Sequence, residues 1–335
     1  MKKFIFALLA CCAWWLGGAQ PVLAASPNFT VKTELPSNQL DPNVHYFDLL
    51  VQPGSTQDLT LLLQNTDTGS HRFRISPNRA TTSAAGQIDY SQHAASSPTG
   101  LAVDIETLLS KPKTVTVAPR STKRVHVQLQ APKTAWSGIL LGGIRIEKLD
   151  HTTGETQAGV GITNQVSVTV AVQLQATKTL PALTPQLQFH GVKTKLTTAG
   201  ALVFAKLENP LPAIMHDVTV TAAITQAGHS KARLKTTQSA LNLAPNSTFA
   251  LALNTTAKAL PAGKYHLDLT ATNGQQHWTF GHDFTIQKAP LEAAKQANQP
   301  AVTKHQSLPA WFVALLLAIL AALIGAIIMV RRRQP

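Results

Sequence analysis

The sequence predicts an all-β fold of two tandem immunoglobulin-like β-sandwiches plus one C-terminal transmembrane α-helix, and three observations lead there. Apolar and polar residues alternate in short runs that Pro, Gly and Asn interrupt every 8–15 residues, the spacing of a sandwich. A turn-and-strand pattern occurs twice, at Pro119 and again 126 residues later at Pro245. The run Trp311 to Val330 is apolar without interruption.

At the N-terminus, Met1-Lys2-Lys3 precedes an apolar stretch from Phe4 to Leu16, and Val22-Leu23-Ala24-Ala25 supplies small residues for cleavage. Basic, apolar and small-residue regions in that order read as a signal peptide over residues 1–25. The apolar stretch is shorter than the roughly 20 residues a bilayer requires.

Strands are expected at Tyr46 to Val51, Gln57 to Leu63, His71 to Ser76, Lys113 to Val117, Lys123 to Gln130 and Ile139 to Lys148. Within Lys123 to Gln130, Val125, Val127 and Leu129 share one face, and Arg124, His126 and Gln128 the other. Val166 to Leu174 is another strand, compatible with either sandwich. The expected domains are residues 26–152 and 160–288, with Pro181 and Pro185 at the junction. The second carries strands at Gln186 to Lys195, Ala201 to Leu207, Val218 to Thr225, Lys231 to Thr236, Thr248 to Asn254, Tyr265 to Thr272 and His277 to Ile286.

The repeat relates the two domains. Val117-Ala118-Pro119-Arg120-Ser121-Thr122 matches Leu243-Ala244-Pro245-Asn246-Ser247-Thr248, and each opens a strand. Proline sets φ in the turn, while Ser and Thr hydroxyls satisfy turn backbone groups.

Residues 289–308 turn polar and rich in Ala, Gln and Lys, which reads as a stalk. A membrane helix over 309–330 follows, its apolar 20-residue core flanked by Trp311 and by Arg331-Arg332-Arg333. At about 1.5 Å per residue such a core matches a bilayer. The arginines keep the 331–335 tail cytoplasmic, so residues 26–307 face outward from the cell membrane.

Cys11 and Cys12 are the only cysteines, both in the signal peptide. The exported domains therefore rely on their cores rather than on disulfides, and thiol nucleophiles and thiolate metal sites are excluded. Removing Lys2, Lys3 and the three terminal arginines leaves 24 basic against 16 acidic residues, a net +8 outside the membrane. That balance suits a wall polyanion such as teichoic acid or peptidoglycan carboxylates, or else serves solubility alone. Scattered charge in an exported chain argues against nucleic acid.

No nucleophile elbow, zinc-protease motif or phosphate loop is present. His216-Asp217 and His282-Asp283 place neighbours on opposite strand faces, and Asp104 with Glu106, read as a strand, is a solvated pair. No catalytic residue, metal site or cofactor is expected. The loop Asn78 to Tyr90, with Thr81 and Thr82, carries the amides, hydroxyls and phenol that grip a glycan or a peptide stem. Asn38, Gln39 and Tyr46 join it if the fold brings them together, and core packing is the competing role for the tyrosines. Gly142-Gly143 inside a strand signals a bulge or close backbone approach. Trp136 and Trp278 are stacking platforms or core anchors.

Four stretches resemble the WxL-interacting proteins of Gram-positive bacteria. Leu35 to Gln39 with Tyr46-Phe47-Asp48-Leu49, Asn78 to Thr82 with Gly86 to Ser91, and Ile139 to Ile144 are similar to the family's N-terminal peptidoglycan-binding domain. Leu243 to Phe249, Gly263-Lys264-Tyr265 and Trp278-Thr279-Phe280 are similar to its C-terminal host- or partner-binding domain. The pattern departs at Ala84-Ala85. The resemblance implies adhesion at the cell surface, with peptidoglycan held by the first domain. It implies WxL-domain surface proteins or a host extracellular-matrix protein held by the second, and points to Tyr265 and Trp278 there. An alternative is a membrane-tethered chaperone or receptor subunit that captures a secreted client by strand addition.

Overall fold

The computed structural model describes residues 28–91, 103–150, 165–274 and 276–287. The expected signal peptide, stalk, membrane helix and tail lie outside these residues. Among the described residues no helix is long and apolar enough to cross a membrane.

The first sandwich contains β1 (Phe29–Glu34), β2 (Phe47–Leu50), β3 (Thr56–Asn65), β4 (His71–Arg79), a small hairpin of β5 (Thr81–Thr82) and β6 (Ile88–Asp89), a single helical turn α1 (Ile105–Leu108), β7 (Lys113–Val117), β8 (Thr122–Gln130), β9 (Leu140–Lys148) and β10 (Ser167–Gln175). One sheet has the order β1-β3-β8 and the other β2-β10-β9-β4-β7. Alternation decides what is buried: Leu59, Leu61 and Leu63 of β3 meet Val125, Val127 and Leu129 of β8 in the core. The short edge strand β1 was not expected, because it has only Phe29 and Val31 to bury. Phe29 is held edge-on to Phe73, with ring centroids 5.0 Å apart.

The open assignment of strand 166–174 is resolved by pairing. β10 runs antiparallel to β9 and parallel to β2, so it completes the first sandwich. The domain border expected at 152–160 is therefore corrected to the linker after Gln175, where Pro181 and Pro185 lie. A run of alternating valines fits either sheet equally; only the hydrogen-bonding partners distinguish them.

The second sandwich packs β11 (Gln188–Thr197), β12 (Gly200–Asn209) and β15 (Ser247–Ala252) against β14 (Ala232–Leu243), β13 (Met215–Gln226), β16 (Gly263–Asn273) and β17 (Gln276–Ile286), in the sheet orders β11-β12-β15 and β14-β13-β16-β17. β14 continues seven residues beyond its expected end at Thr236. Its pairing with β13 shifts register near Val218, and Ala240 takes a positive φ of 54°, which breaks the alternation that marks a strand in sequence.

The two repeated turns are the same structure. Arg120 and Asn246 sit at φ 48° and 46°. Ser121 and Ser247 donate their hydroxyls to Ala118 O and Ala244 O, both at 2.8 Å. Each turn is clasped by a fully buried asparagine at the end of a central strand. Asn65 Nδ2 donates to Val117 O, Ala118 O and Gly69 O, and Asn209 Nδ2 donates to Ala244 O and Ala213 O. The side-chain oxygens accept from the backbone N–H two residues on, at Asp67 and Leu211.

Between the sandwiches lies a third apolar cluster of Ala80, Ile139, Leu141 and Ala244, with Ile88, Tyr90, Leu180 and Ile214 packed against it. The β5–β6 hairpin reaches across this joint. Asn242 N donates to Gly86 O at 2.8 Å and Ala252 N to Ala84 O at 2.9 Å. On the other flank Ile139 N donates to Pro212 O at 2.7 Å. Gly138, at φ 81°, is so close that a Cβ there would fall 2.2 Å from Pro212 O.

Candidate functional site

The seven residues expected to grip a wall ligand separate into two groups. Asn38 donates its amide to Leu50 O at 2.9 Å and Gln57 Oε1 at 3.1 Å. Gln39 donates to Asp41 O and Tyr46 O and accepts from Asp48 N. Both side chains are thus committed to stapling the 36–48 loop onto β2. Thr81 donates to Asp89 O within its own hairpin. Thr82 is buried in the joint, where its hydroxyl accepts from Ala244 N at 2.9 Å and meets Ser247 Oγ at 2.7 Å. The Asn78–Tyr90 loop is thus largely a clamp between the domains. Its polar residues meet protein where a ligand was expected.

Asn78 and Tyr90 come together on the outer face of the five-stranded sheet, and Tyr46, which also packs against the first core, lies close enough to Tyr90 to influence it electrostatically. Asn78, 2% exposed, donates its amide to Tyr90 O at 2.7 Å and so fixes the loop that carries the ring. Tyr90 lies directly over Gly143: a Cβ there would be 2.8 Å from Tyr90 Cβ and 2.9 Å from Thr169 Cγ2. The adjoining Gly142 is approached from the opposite face by Ile105 of α1, at 2.9 Å from such a Cβ. The glycine pair therefore marks close approach on both sides of one strand. In the registers of β10 with β2 and β9, Val172 pairs Phe47 and Ala171 pairs Gly143. Tyr46, next to Phe47, consequently falls beside Ala171.

Electrostatics agree with that placement. Burial raises the Tyr90 phenol to about 12, and the charge of Tyr46 adds to the rise. Tyr46 is itself raised by burial first, then by Asp48 and Asp41. Three further polar groups lie on the same face, none of them apparent in the sequence. Asp48, 9% exposed, accepts from Gln173 Nε2 at 2.8 Å. Arg145 Nη1 donates to Ser91 O at 2.6 Å, while its buried Nε has no partner. Strand alternation marks all three as outward-facing, but which strands lie side by side is a tertiary fact.

Asp104 and Glu106 correct the strand reading of that segment. Asp104 caps α1 by accepting from Glu106 N at 3.1 Å. Its carboxylate pairs with the Arg79 guanidinium, and Glu106 Oε1 accepts from Arg79 N at 2.7 Å. The two acids anchor a buried arginine and are not a solvated patch.

In the second domain Tyr265 is buried at 2% exposure, donates its hydroxyl to Pro261 O at 2.9 Å and stacks on Phe284 at 5.6 Å. It is a core anchor. Trp278 is half-buried on β17, in a row with Phe280, His282 and Phe284. Phe280 and His282 both meet Phe189 of β11, with centroids 5.3 and 5.7 Å away. β11 and β17 are edge strands of the two sheets, so this aromatic row joins the sheets along one edge of the sandwich. Trp136 packs on the first core.

Comparison with known families divides the chain in the same order. Residues 29–148 match the peptidoglycan binding domain of the WxL Interacting Protein, and residues 157–299 match its host binding domain. The second match begins before β10, which hydrogen bonding assigns to the first sandwich. No curated protein sequence matches significantly. Among solved structures, the CupB2 chaperone of Pseudomonas aeruginosa is 14% identical, covering 71% of this chain and 97% of its own, at a TM-score of 0.28. The CsuC–CsuE chaperone–tip adhesion subunit complex of Acinetobacter baumannii is 11% identical, with coverages of 76% and 98% and a TM-score of 0.29. Likenesses this distant say nothing about activity.

Proposed function

This chain belongs to the WxL-interacting protein family, and from that premise we propose a membrane-anchored adhesion scaffold at the surface of a Gram-positive cell. Its first domain binds peptidoglycan, and its second binds WxL-type surface proteins or a host matrix protein. The observation that carries the proposal is the pair of domain matches, peptidoglycan binding then host binding, along two sandwiches joined by a hydrogen-bonded interface. An apolar 20-residue run ending in three arginines supports the anchor and the outward orientation. The net +8 beyond the membrane favours polyanionic surroundings. We propose that the chain works by binding alone and carries no catalysis.

For the second domain, the edge position of β17 with its half-buried aromatic row favours capture of an extended segment of a partner. Added main-chain hydrogen bonds would supply affinity, and alternate side chains selectivity. The test is retention of the full-length chain, in mild detergent, by insoluble peptidoglycan and separately by an immobilised WxL-domain protein. Binding to both is expected. Failure to sediment with peptidoglycan overturns the assignment of the first domain.

A further inference from the structure

We infer that the wall ligand of the first domain is held on the outer face of the five-stranded sheet, over Ala171, between the rings of Tyr46 and Tyr90. This rests on the peptidoglycan reading above and adds a place and a chemistry to it.

The floor is made by position rather than by composition. Ala171 and Gly143 are cross-strand partners, so the middle of this face has only a methyl group and a bare Cα. Tyr90 roofs the glycine, and Tyr46 stands on the other side of the alanine. Between the two tyrosines Ala171 is partly exposed as the floor of a shallow slot, while Tyr46 also packs against the first core and Tyr90 against the interdomain cluster. Aromatic walls over a small floor suit the apolar face of a pyranose ring or its N-acetyl methyl group.

The ends of the slot are polar and of opposite character. At one end Asp48 Oδ1 is taken by Gln173, and Oδ2 has no hydrogen-bond partner among the described residues. It is an acceptor for a sugar hydroxyl or an amide N–H. At the other end, beside Thr169, Arg145 is cross-strand to Thr169 and donates Nη1 to Ser91 O. Its guanidinium brings a positive charge that suits a ligand carboxylate. From Gln173 to Thr169 the strand rises about 13 Å at 3.3 Å per residue. That length accommodates an N-acetylated sugar joined to the first residues of a peptide, the repeating chemistry of peptidoglycan. A teichoic acid is dominated by backbone phosphates, which the Asp48 carboxylate at one end repels, and fits this slot less well.

The three tyrosines of the sequence provide an internal control, because two line the slot and Tyr265 is buried in the other domain. The full-length chain, labelled at tyrosine and held in detergent micelles, is titrated with a soluble muropeptide and followed by NMR. In parallel it is sedimented with peptidoglycan stripped of teichoic acid. Expected are shifts at Tyr46 and Tyr90 with Tyr265 unmoved, and at least a tenfold loss of affinity in Ala171→Trp and in Tyr46→Ala. Circular dichroism and thermal melting of each variant report folding, and Tyr46→Ala, at a partly buried position, stands in if Ala171→Trp does not fold. If the wild type binds stripped peptidoglycan while both folded variants bind equally well, or the two tyrosines stay unmoved, the slot is not the site and the domain assignment survives. If the wild type does not bind stripped peptidoglycan at all, the domain assignment falls and the slot with it.

Discussion

Asn65 and Asn209 lie at equivalent ends of β3 and β12, both wholly buried, and each amide satisfies carbonyls of the turn that precedes the next strand. Replacing either by alanine removes its hydrogen bonds to the turn carbonyls and the acceptor of Asp67 N or Leu211 N, while Ser121 and Ser247 still serve Ala118 O and Ala244 O. At about 1 kcal/mol net per lost bond, chemical denaturation of Asn65→Ala and Asn209→Ala should show losses of about 2–3 kcal/mol, above those of surface substitutions. A second residue-scale expectation concerns His266 on the outer face of the second domain. Its Nδ1 lies 2.6 Å from Asp283 Oδ1 and its Nε2 3.3 Å from Asp268 Oδ1. The hydrogen bond to Asp283 is the main reason that its pKa is raised. The pairing is thus complete below the ordinary histidine value of about 6.5 and fades as pH rises through the higher folded value. An NMR titration should find His266 above that ordinary value, and Asp283→Asn should bring it down.

At the scale of elements, β10 decides where the first domain ends. It is an interior strand, hydrogen-bonded on both sides, and it contributes Val170, Val172 and Leu174 to the core. Without it β2 has no neighbour in its sheet and the core opens between them. A fragment of residues 26–152 should therefore fail to unfold cooperatively. A fragment of residues 26–178 should give a single sigmoidal transition in urea. Equal cooperativity of the two would contradict the strand order. The same reasoning explains which elements could be read in advance. Long alternating runs such as β3 and β8 declared both their type and their buried faces, because burial on one face of a sheet imposes period two. Asp104 and Glu106 have that spacing too, yet they belong to one helical turn fixed by Arg79, a contact from a distant strand.

At the scale of the molecule, the β5–β6 hairpin and the Gly138–Pro212 contact lock the two sandwiches together. A buried hydroxyl contact, Thr82 with Ser247, ties the hairpin to the repeated turn of the second domain. Scanning calorimetry of the wild type should show one main transition for both domains. Thr82→Val leaves Ala244 N–H unpaired in the joint, and Gly138→Ala forces the backbone off Pro212. Each should separate the transition in two, and small-angle scattering should show a broader distribution of interdomain distances. An unchanged single transition in both variants would mean that the joint does not couple the domains. A rigid joint holds the partner-binding domain at a set angle to the wall-binding face.

From its own patterning the sequence determined the strand-rich class, the two related modules, their turn motif and the family to which they belong. These depend on local chemistry: alternation, proline and glycine punctuation, and a motif recurring at a constant offset. Only the tertiary structure decided that β10 closes the first sandwich, that Thr82 faces the other domain, and that Tyr46, Tyr90, Asp48 and Arg145 share one surface. An amide or hydroxyl looks the same in sequence whether it meets a ligand or a neighbouring domain. Which it meets depends on strand order and on interdomain packing, and these arise from contacts between residues up to 168 positions apart, as between Ala84 and Ala252.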